Sequence, residues 1–451
     1  MNRTLGDFAR ACGGELIGPD RAYHGVSSDT RTIKSGELFV ALRGPRFNAN
    51  EFVGAAEAAG AAGAVVDART DRALAHILVG DTLEALTRAA VAWRDGFQLP
   101  VIGVAGSNGK TTVKEMAASI LGRAGNTLAT RGSLNNHIGV PLTLHRLDPT
   151  HRFAVIEIGA NHPGEVAALV KLARPTVGLI TNAGAEHLEG FGSIEGAARA
   201  EGEMVADLPP EAVAVLNVDD EYFGLWRGMT RARVVTFGVQ QPADFGAADI
   251  HTAIAEGGFI TRFNLRSPAG NTPIELPLAG SHNVANALCA AAAAISAGAS
   301  LEHVRAGLAT MRPVPGRLQF KTAPSGAWIV DDSYNANPSS MKAGIEVLAN
   351  VDARRWLVMG DMGELGDSAS ESHQEIGRFA RNHRIDRLFA TGKLSALAVE
   401  AFGPGAQWFP ETDSLSRAVN AELTREVCVL VKGSRSSRLE RVVDSLVGKL
   451  N

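Results

Sequence analysis

Short apolar runs alternate with longer segments of helical periodicity through most of this chain. The central part contains the runs VIGVAG, FAVIEIGA, VGLITNAG and AVAVLNVDD, and the C-terminal part contains WIVDDS, RWLVMGD, RLFATG and CVLVKGS. Apolar runs of this length between helices are typical of strands in a mostly parallel, doubly wound sheet. The pattern therefore predicts two such sheets, with ligand sites at the carboxyl ends of their strands.

Breaks in this pattern divide the chain into three predicted domains of the α/β class. Gly-rich turns and an Ala-rich helix and strand precede a break at residues 98–100, and Pro313 and Pro315 interrupt the pattern again. Prolines and glycines commonly mark such boundaries. We expect a small α/β N-terminal domain, a central P-loop mononucleotide-binding domain with a doubly wound sheet, and a C-terminal Rossmann-like α/β domain, at residues 1–97, 98–312 and 313–451.

Composition narrows the classes of function. The chain has 451 residues, and its 44 basic and 48 acidic side chains leave a net charge of -4, which argues against a broad surface for nucleic acid. The three cysteines, Cys12, Cys289 and Cys428, are too dispersed for a disulfide framework or a Cys-based zinc site. The N-terminus lacks the apolar core of a signal peptide. The most apolar stretch, residues 283–297, is shorter than the roughly 20 residues of a membrane span. We expect a cytoplasmic chain that does not insert into a membrane.

The segment GSNGKTT lies between a predicted strand and a predicted helix. Its glycines allow a tight turn in which backbone N–H groups converge on an anion, and the helix N-terminus adds a favourable dipole. Val104 occupies a position where the general phosphate-loop pattern has glycine, so the match is incomplete. The alternative is a glycine turn capped by Thr111. The predicted nucleotide-binding residues of the loop are Gly106, Ser107, Asn108, Gly109, Lys110, Thr111 and Thr112.

Polar side chains at the ends of other predicted strands indicate magnesium ligands. Glu157 lies in an otherwise apolar strand, where a charge needs a positive partner, and Asn182 and His187 follow the next strand. With Thr111 they could hold magnesium, which prefers oxygen ligands. The alternatives remain open that Glu157 pairs with a lysine and that His187 caps a turn.

Other polar residues admit two interpretations each. Asn135 and Asn136 could bind phosphate or substrate, or form a turn. Arg317, after the paired prolines, could reach a transferred phosphoryl group, or form an ordinary salt bridge between domains. The C-terminal segments DDSYNANP, GDMGELG and KGSR each end a predicted strand, which indicates one concave site.

Taken together, these segments resemble the Mur ligases. The resemblance covers nearly the whole chain and rests on GSNGKTT, SLNNHIGVP, EIGANHPGE, HLEGFGS, GSHNVANAL, PGRLQ, DDSYNANP, GDMGELG and VKGSR, in that order. It implies an ATP- and magnesium-dependent ligase of peptidoglycan precursor synthesis, one that adds D-alanyl-D-alanine to UDP-N-acetylmuramoyl-tripeptide through an acyl phosphate. Both substrates are small molecules, and we expect a monomer. The alternatives are a folylpolyglutamate synthase-like ligase and a P-loop ATPase without ligase activity.

The resemblance also implies individual roles. Lys110, Thr111 and Thr112 would hold ATP phosphates and magnesium, and Asn136, Glu157 and His187 would organise the metals and the acyl phosphate. Asn286 and Tyr334 would border adenine, Asp332 the ribose, and Arg317 the γ-phosphate. The catalytic residues implied are Lys110, Glu157, His187 and Arg317. The substrate-binding residues implied are Asp29, Arg31, Arg46, Phe47 and Asn48 for the nucleotide sugar, and Asn135, Asn136, Asn335, Asn337, Lys432 and Ser434.

One segment departs from the family's pattern. Many Mur ligases carry a carbamylated lysine after the histidine segment, whereas GSIEGAARAEGEM offers Glu201. We expect Glu201 to act on magnesium directly or through water, without carbamylation. The alternatives are a surface glutamate, or Glu203 if the alignment shifts by one turn.

Overall fold

The computed structural model describes residues 3–44, 47–185, 188–255 and 258–449. Within these residues, three sheets of five or six strands follow one another along the chain, one in each predicted domain. Helices cover these sheets, so the predicted α/β class and the three-part architecture are confirmed. None of the helices in the described part of the chain has the length and apolar character needed to cross a membrane.

The N-terminal domain carries a small mixed sheet. Its strands are β1 (Arg3–Thr4), β2 (Glu15–Ile17), β3 (Ala22–Tyr23), β4 (Val26–Ser27), β5 (Leu38–Val40), β6 (Arg43–Gly44), β7 (Phe47–Asn48), β8 (Gly63–Val66) and β9 (His76–Leu78). Its helices are α1 (Leu5–Cys12), α2 (Val53–Ala58) and α3 (Thr82–Asp95). The main sheet has the order β2-β9-β8-β5-β4, with only β2 antiparallel to its neighbour. Phe8 of α1 stacks on His145 of the central domain at 5.6 Å between ring centroids, which joins the two domains.

The central domain is a parallel sheet between helices. Its strands are β10 (Val101–Ala105), β11 (Thr127–Ala129), β12 (Phe153–Glu157), β13 (Val177–Ile180), β14 (Val213–Asn217), β15 (Arg233–Phe237), β16 (Gly246–Ala255), β17 (Gly258–Ser267) and β18 (Gly270–Leu276). Its helices are α4 (Lys110–Ala124), α5 (Gly139–Leu144), α6 (Glu165–Ala173), α7 (Leu188–Phe191), α8 (Ile194–Ala206), α9 (Phe223–Met229), α10 (Ser281–Ser296) and α11 (Leu301–Ala309).

The order of the central sheet, β11-β12-β10-β13-β14-β15, places β10 between β12 and β13. Val104 pairs with Glu157 and Ala105 with Ile180, so the ends of all three strands meet where α4 begins. The strands β16, β17 and β18 form a separate antiparallel sheet, which the pattern of apolar runs did not predict.

The C-terminal domain has a second six-stranded sheet. Its strands are β19 (Gln319–Thr322), β20 (Trp328–Asp332), β21 (Arg354–Met359), β22 (Arg387–Thr391), β23 (Ala406–Phe409) and β24 (Val427–Lys432). Its helices are α12 (Pro338–Ala349), α13 (Ala369–Asn382), α14 (Ser395–Phe402), α15 (Thr412–Glu422) and α16 (Glu440–Leu446). The order is β19-β20-β24-β21-β22-β23, parallel except for the edge strand β19. Asp332 pairs with Lys432 in this register, so both side chains reach the edge that faces the central domain.

Candidate active site

The phosphate loop connects β10 to α4 and depends on two glycines. Gly106 and Gly109 have φ angles of +119° and +83°, which are costly for residues with a side chain. A Cβ atom at Gly106 would collide with Thr181, and one at Gly109 with the amide of Asn286. Glycine at positions 106 and 109 is therefore required by the backbone conformation and by the close approach of neighbouring side chains.

Asn182 holds this loop in place. Its side chain accepts a hydrogen bond from the backbone N–H of Asn108 at 3.0 Å and donates one to the Asn108 carbonyl at 3.0 Å. Thr181 Oγ1 donates to the same carbonyl at 2.6 Å. Asn182, which the sequence suggested as a metal ligand, thus has its side-chain amide engaged with the loop backbone.

The side chain of Lys110 curls back over the loop. Its Nζ donates to the carbonyl of Gly106 at 2.5 Å and to that of Ser107 at 3.1 Å. These contacts hold the ammonium group against two carbonyls of the turn. The arrangement concentrates positive charge where phosphate oxygens would bind.

Glu157 lies beside the first turn of α4 and is 2% exposed. Its Oε1 accepts hydrogen bonds from Thr111 Oγ1 at 3.2 Å and from Asn135 Nδ2 at 2.9 Å. Its Oε2 is buried, and no donor among the described residues lies within hydrogen-bond distance of it. The Nζ of Lys114 lies 3.9 Å from Oε2. A hard divalent cation fits this carboxylate and hydroxyl pair, because such ions prefer oxygen ligands.

Sequence reasoning did not identify Lys114 or His282. Lys114 is fully buried, and its Nζ donates to the carbonyl of Thr130 at 2.9 Å and contacts Glu115 at 2.7 Å. The available signal was a lysine on the apolar face of a predicted helix, where an uncompensated charge is expensive. His282 is the second residue of α10, and burial lowers its pKa to about 4, so its imidazole is neutral near pH 7.

Glu201 lies on α8, beneath the phosphate loop. It is 4% exposed, and its Oε2 accepts a hydrogen bond from the N–H of Gly106 at 2.7 Å. A surface glutamate is therefore excluded. Glu203 instead accepts bonds from Gly164 and Ala167 at the start of α6. His187 lies outside the described residues, and those residues contain no ready-made group of three His, Cys, Asp or Glu side chains for a metal.

Arg317 reaches the phosphate loop from the start of the C-terminal domain. Its Nη2 donates to Thr111 Oγ1 at 3.3 Å, and its guanidinium lies 4.4 Å from the ring centre of Tyr334. The next residue, Leu318, has a φ of +47° and donates its N–H to Asp332 at 3.1 Å. The partner of Arg317 on the central domain is thus a hydroxyl, whereas the salt-bridge alternative requires a carboxylate.

Asp332 and Lys432 form a buried ion pair opposite the loop. The carboxylate lies 2.7 Å from Lys432 Nζ, which also donates to the carbonyl of Asn335 at 2.9 Å. Burial raises the pKa of Asp332, and the adjacent ammonium opposes that shift. The pair places a fixed cation at the edge of the site.

Two cavities flank the phosphate loop. The first, of 390 Å³, has apolar walls suited to an aromatic base, and its lining includes Phe237, Val239, Leu278, His282, Asn286 and Met311. The second, of 440 Å³, is more polar, and its lining includes Lys110, Thr111, Asn135, Asn136, Glu157, Tyr334, Asn335, Asn337 and Ser434. Arg317, Asp332 and Lys432 line both. Asn286 and Tyr334, both expected beside adenine, therefore lie in different cavities.

Asn136 has a local role as well as a place in the second cavity. Its Oδ1 accepts hydrogen bonds from the N–H groups of Ile138 at 3.2 Å and Gly139 at 2.9 Å, which form the turn that leads into α5. The predicted turn and the predicted ligand site thus coincide at this residue.

Four of the predicted nucleotide-sugar residues, Asp29, Arg31, Phe47 and Asn48, line neither cavity. Arg31 forms an exposed ion pair with Asp29 at 2.6 Å, and its hydrogen bonds lower the pKa of Asp29 to about 2. Phe47 is 55% exposed, and Asn48 accepts a hydrogen bond from the N–H of Asn50 at 3.1 Å. Arg46 lies outside the described residues. These roles stay predictions.

Family models match the two domains that form the site. The Mur ligase middle domain matches residues 104–294, and the Mur ligase glutamate ligase domain matches residues 316–435. The UDP-N-acetylmuramoyl-tripeptide--D-alanyl-D-alanine ligase of Escherichia coli K12 is 43% identical over 98% of this chain and 98% of its own. The chain belongs to the Mur ligase family.

Solved Mur ligase structures share the whole architecture. A crystal structure of MurF from Acinetobacter baumannii matches with a TM-score of 0.91 and 35% identity, over 99% of both chains. The MurF ligase of Thermotoga maritima in complex with ADP matches with a TM-score of 0.81 and 26% identity, over 95% of this chain and 98% of that one. The similarity therefore includes the N-terminal domain of this Mur ligase, which neither family model covers.

Proposed function

We propose that this Mur ligase joins D-alanyl-D-alanine to UDP-N-acetylmuramoyl-tripeptide at the expense of ATP. The observation that carries the proposal is the 43% identity over 98% of the chain to a relative that bears this activity in its name. The phosphate loop, the buried Glu157 and Arg317 converge at the contact between two domains, which is the arrangement a reaction protected from water requires.

ATP would extend along both cavities. The apolar first cavity suits adenosine, with Asn286 on its wall and Asp332 near the ribose. The turn at Gly106–Lys110 suits the phosphates, and Arg317 lies where it can contact the terminal one. A relative of the same architecture forms a complex with ADP. The ring of Tyr334 lies against the Arg317 guanidinium in the second cavity, and we assign it to orienting that guanidinium.

Magnesium would be held by Thr111 and Glu157. This assignment is supported by the buried Oε2 of Glu157, which has no hydrogen-bond donor among the described residues and lies beside a hydroxyl at the phosphate loop. Glu201 would support the metal from beneath the loop, directly or through water, and His187 would complete the set. When bound, magnesium supplies positive charge that lowers the repulsion between ATP and an attacking carboxylate.

The chain's own residues would then promote two steps. The terminal carboxylate oxygen of the tripeptide attacks the γ-phosphorus, the bond to ADP breaks, and an acyl phosphate forms. The amine of D-alanyl-D-alanine next attacks the acyl carbon, phosphate leaves, and the amine loses a proton. Lys110 and Arg317 stabilise the charge that develops on the transferred phosphoryl group. Lys432, fixed by Asp332, places a further cation beside the second cavity.

The substrates would enter from the second cavity and the N-terminal domain. Asn135, Asn136, Asn335 and Ser434 line that cavity and offer uncharged polar groups to a peptide. Asp29, Arg31, Phe47 and Asn48 are assigned to the nucleotide sugar, and the exposed ring of Phe47 supports a role in binding. We further propose a monomer that acts in the cytoplasm.

Phosphate release from ATP and magnesium tests this function. The purified chain is supplied with UDP-N-acetylmuramoyl-tripeptide, and D-alanyl-D-alanine is added or omitted. Release that requires both, with a product heavier by the dipeptide less water, supports the ligase. Phosphate release at the same rate with and without the dipeptide supports an ATPase. Release when a folate and glutamate replace the two substrates supports a folylpolyglutamate synthase-like activity.

A further inference from the structure

The side chain of Asn108, at the tip of the phosphate loop, is hydrogen-bonded to the other domain. Its Nδ2 donates to Ser339 Oγ at 3.0 Å, and its Oδ1 accepts from Asn337 Nδ2 at 2.8 Å. Ser339 and Asn337 flank the first residue of α12 in the C-terminal domain. Both hydrogen-bonding groups of one amide thus connect the nucleotide loop to the start of this helix.

On the C-terminal side, both the oxygen and the nitrogen of the Asn337 side-chain amide form hydrogen bonds. Its Oδ1 accepts from the N–H of Ser340 at 2.9 Å, which caps α12, and from Ser339 Oγ at 3.1 Å. Its Nδ2 donates to Asn108. On the central side, the backbone of Asn108 is held by Thr181 and Asn182 at the end of β13. A continuous series of hydrogen bonds therefore runs from β13 through the loop to α12.

Helix α12 packs against the buried ion pair. A Cβ atom added at Gly344 of α12 would lie 3.6 Å from Asp332 Oδ2 and 3.7 Å from Lys432 Cδ, so the helix packs directly over both side chains. Asn108 itself lines both cavities, with Ser339 in the first and Asn337 in the second. The contact thus stands at the boundary between the predicted nucleotide and substrate cavities.

We propose that Asn108, Asn337 and Ser339 form an interdomain latch that sets Asp332, Lys432 and Arg317 over the phosphate loop. These are positioning residues, and Asn337 acts through Asn108 in place of a direct contact with the dipeptide. The inference rests on the proposed ligase function. A latch of this kind favours the closed arrangement and so affects turnover more than binding of the second substrate.

The test is a double-mutant cycle on Asn108→Ala and Ser339→Ala, with two readouts. Ligase kcat and the KM for D-alanyl-D-alanine are measured, and the radius of gyration is measured by X-ray scattering with β,γ-methylene-ATP and magnesium. Ser339→Thr keeps the hydroxyl and serves as the rescue variant. Lys342→Ala is the matched control on the same helix, because Lys342 pairs at 2.6 Å with Glu375 inside the C-terminal domain.

We expect Ser339→Ala to lower kcat about fivefold, the effect of losing its one neutral hydrogen bond across the domains, with the dipeptide KM changed less than twofold. The double variant should lose less than the product of the two single losses, and both single variants should show a larger radius of gyration with the analogue. Ser339→Thr and Lys342→Ala should behave as wild type in scattering.

Two results would overturn the latch. One is a loss of kcat in the double variant equal to the product of the two single losses, and the other is an unchanged radius of gyration in both single variants. A higher dipeptide KM with unchanged kcat would instead make these residues substrate contacts. Scattering does not require catalysis, so a wild-type chain without dipeptide-dependent phosphate release would refute the ligase function while the closure measurement still decides the latch.

Discussion

Replacing Lys114 with methionine removes the buried cation beside Glu157 while keeping a side chain of similar shape. Lys114 is fully buried and its Nζ lies 3.9 Å from a carboxylate that is 2% exposed. Removing one partner of a buried ion pair costs about 3–5 kcal/mol, because the remaining charge is left uncompensated. Glu157 keeps its hydrogen bonds from Thr111 and Asn135, so we expect the lower end, about 3 kcal/mol. For a domain of this size that lowers the Tm by about 6–12 °C.

The assay is thermal unfolding of wild type and Lys114→Met, each with EDTA and with saturating magnesium. A cation at Glu157 replaces the missing charge, so magnesium should raise the Tm of Lys114→Met more than that of wild type. Lys171→Met is the control, because its contact with Asp207 at 4.0 Å is largely exposed, and we expect little change. A Tm of Lys114→Met within about 1 °C of the wild-type Tm would contradict this role of Lys114, because a loss of about 3 kcal/mol should lower the Tm by at least about 6 °C.

Three further predictions concern catalysis, bicarbonate and pH. Arg317→Ala should lower kcat about 100-fold in steady-state assays. Arg317→Lys should lower it less, because lysine keeps the positive charge but lacks the planar guanidinium. Equal activity of wild type and both variants would contradict a role of Arg317 at the transferred phosphoryl group. Wild-type activity should survive depletion of bicarbonate, because Glu201 already supplies a buried carboxylate, and a strong reversible loss would refute this. Burial, with Arg3 nearby, lowers the pKa of His145 to about 3. Below about pH 6.5 this imidazole binds a proton in the unfolded chain but not in the folded one. The free energy of unfolding should therefore fall as the pH drops from about 6.5 toward 3, by up to about 1.4 kcal/mol per pH unit. His145→Phe should therefore show a smaller difference in Tm between pH 7.5 and pH 5.0 than wild type does. A difference as large as that of wild type would contradict the buried His145 as the cause.

Much of the fold could be predicted because parallel strands are local, apolar and regularly spaced. The runs that became β10, β12, β13 and β14 were identified from hydrophobicity alone, and the phosphate loop from its glycines, lysine and threonines. The antiparallel sheet β16–β18 was missed, because β16 has no buried residue, β17 and the end of β18 alternate buried with more exposed residues, and all three carry few long apolar runs. Alternation of apolar and polar residues was present in this segment, but it was weaker than the continuous apolar runs of the parallel strands.

The site was harder to predict, because its geometry depends on contacts between residues far apart in sequence. Glu157 needed a positive partner, but nothing local to it indicated that the partner is Lys114, 43 residues earlier on another element. The same holds for Asn108 and Ser339, which meet only because two domains pack together. Asn182 was misleading in the opposite way. Its place at the end of a predicted strand suggested a metal ligand, but its side chain forms hydrogen bonds with the loop backbone.

If the tripeptide's carboxylate is phosphorylated before the amide forms, one of its oxygen atoms must leave with the phosphate, and an isotope label can follow that atom. Tripeptide substrate labelled with ¹⁸O in its terminal carboxylate is converted in the presence of ATP, magnesium and D-alanyl-D-alanine, and the released phosphate is analysed by mass spectrometry. We expect one ¹⁸O atom in each phosphate released with the pentapeptide product. Unlabelled phosphate would contradict it, because the phosphoryl group would then have passed to water.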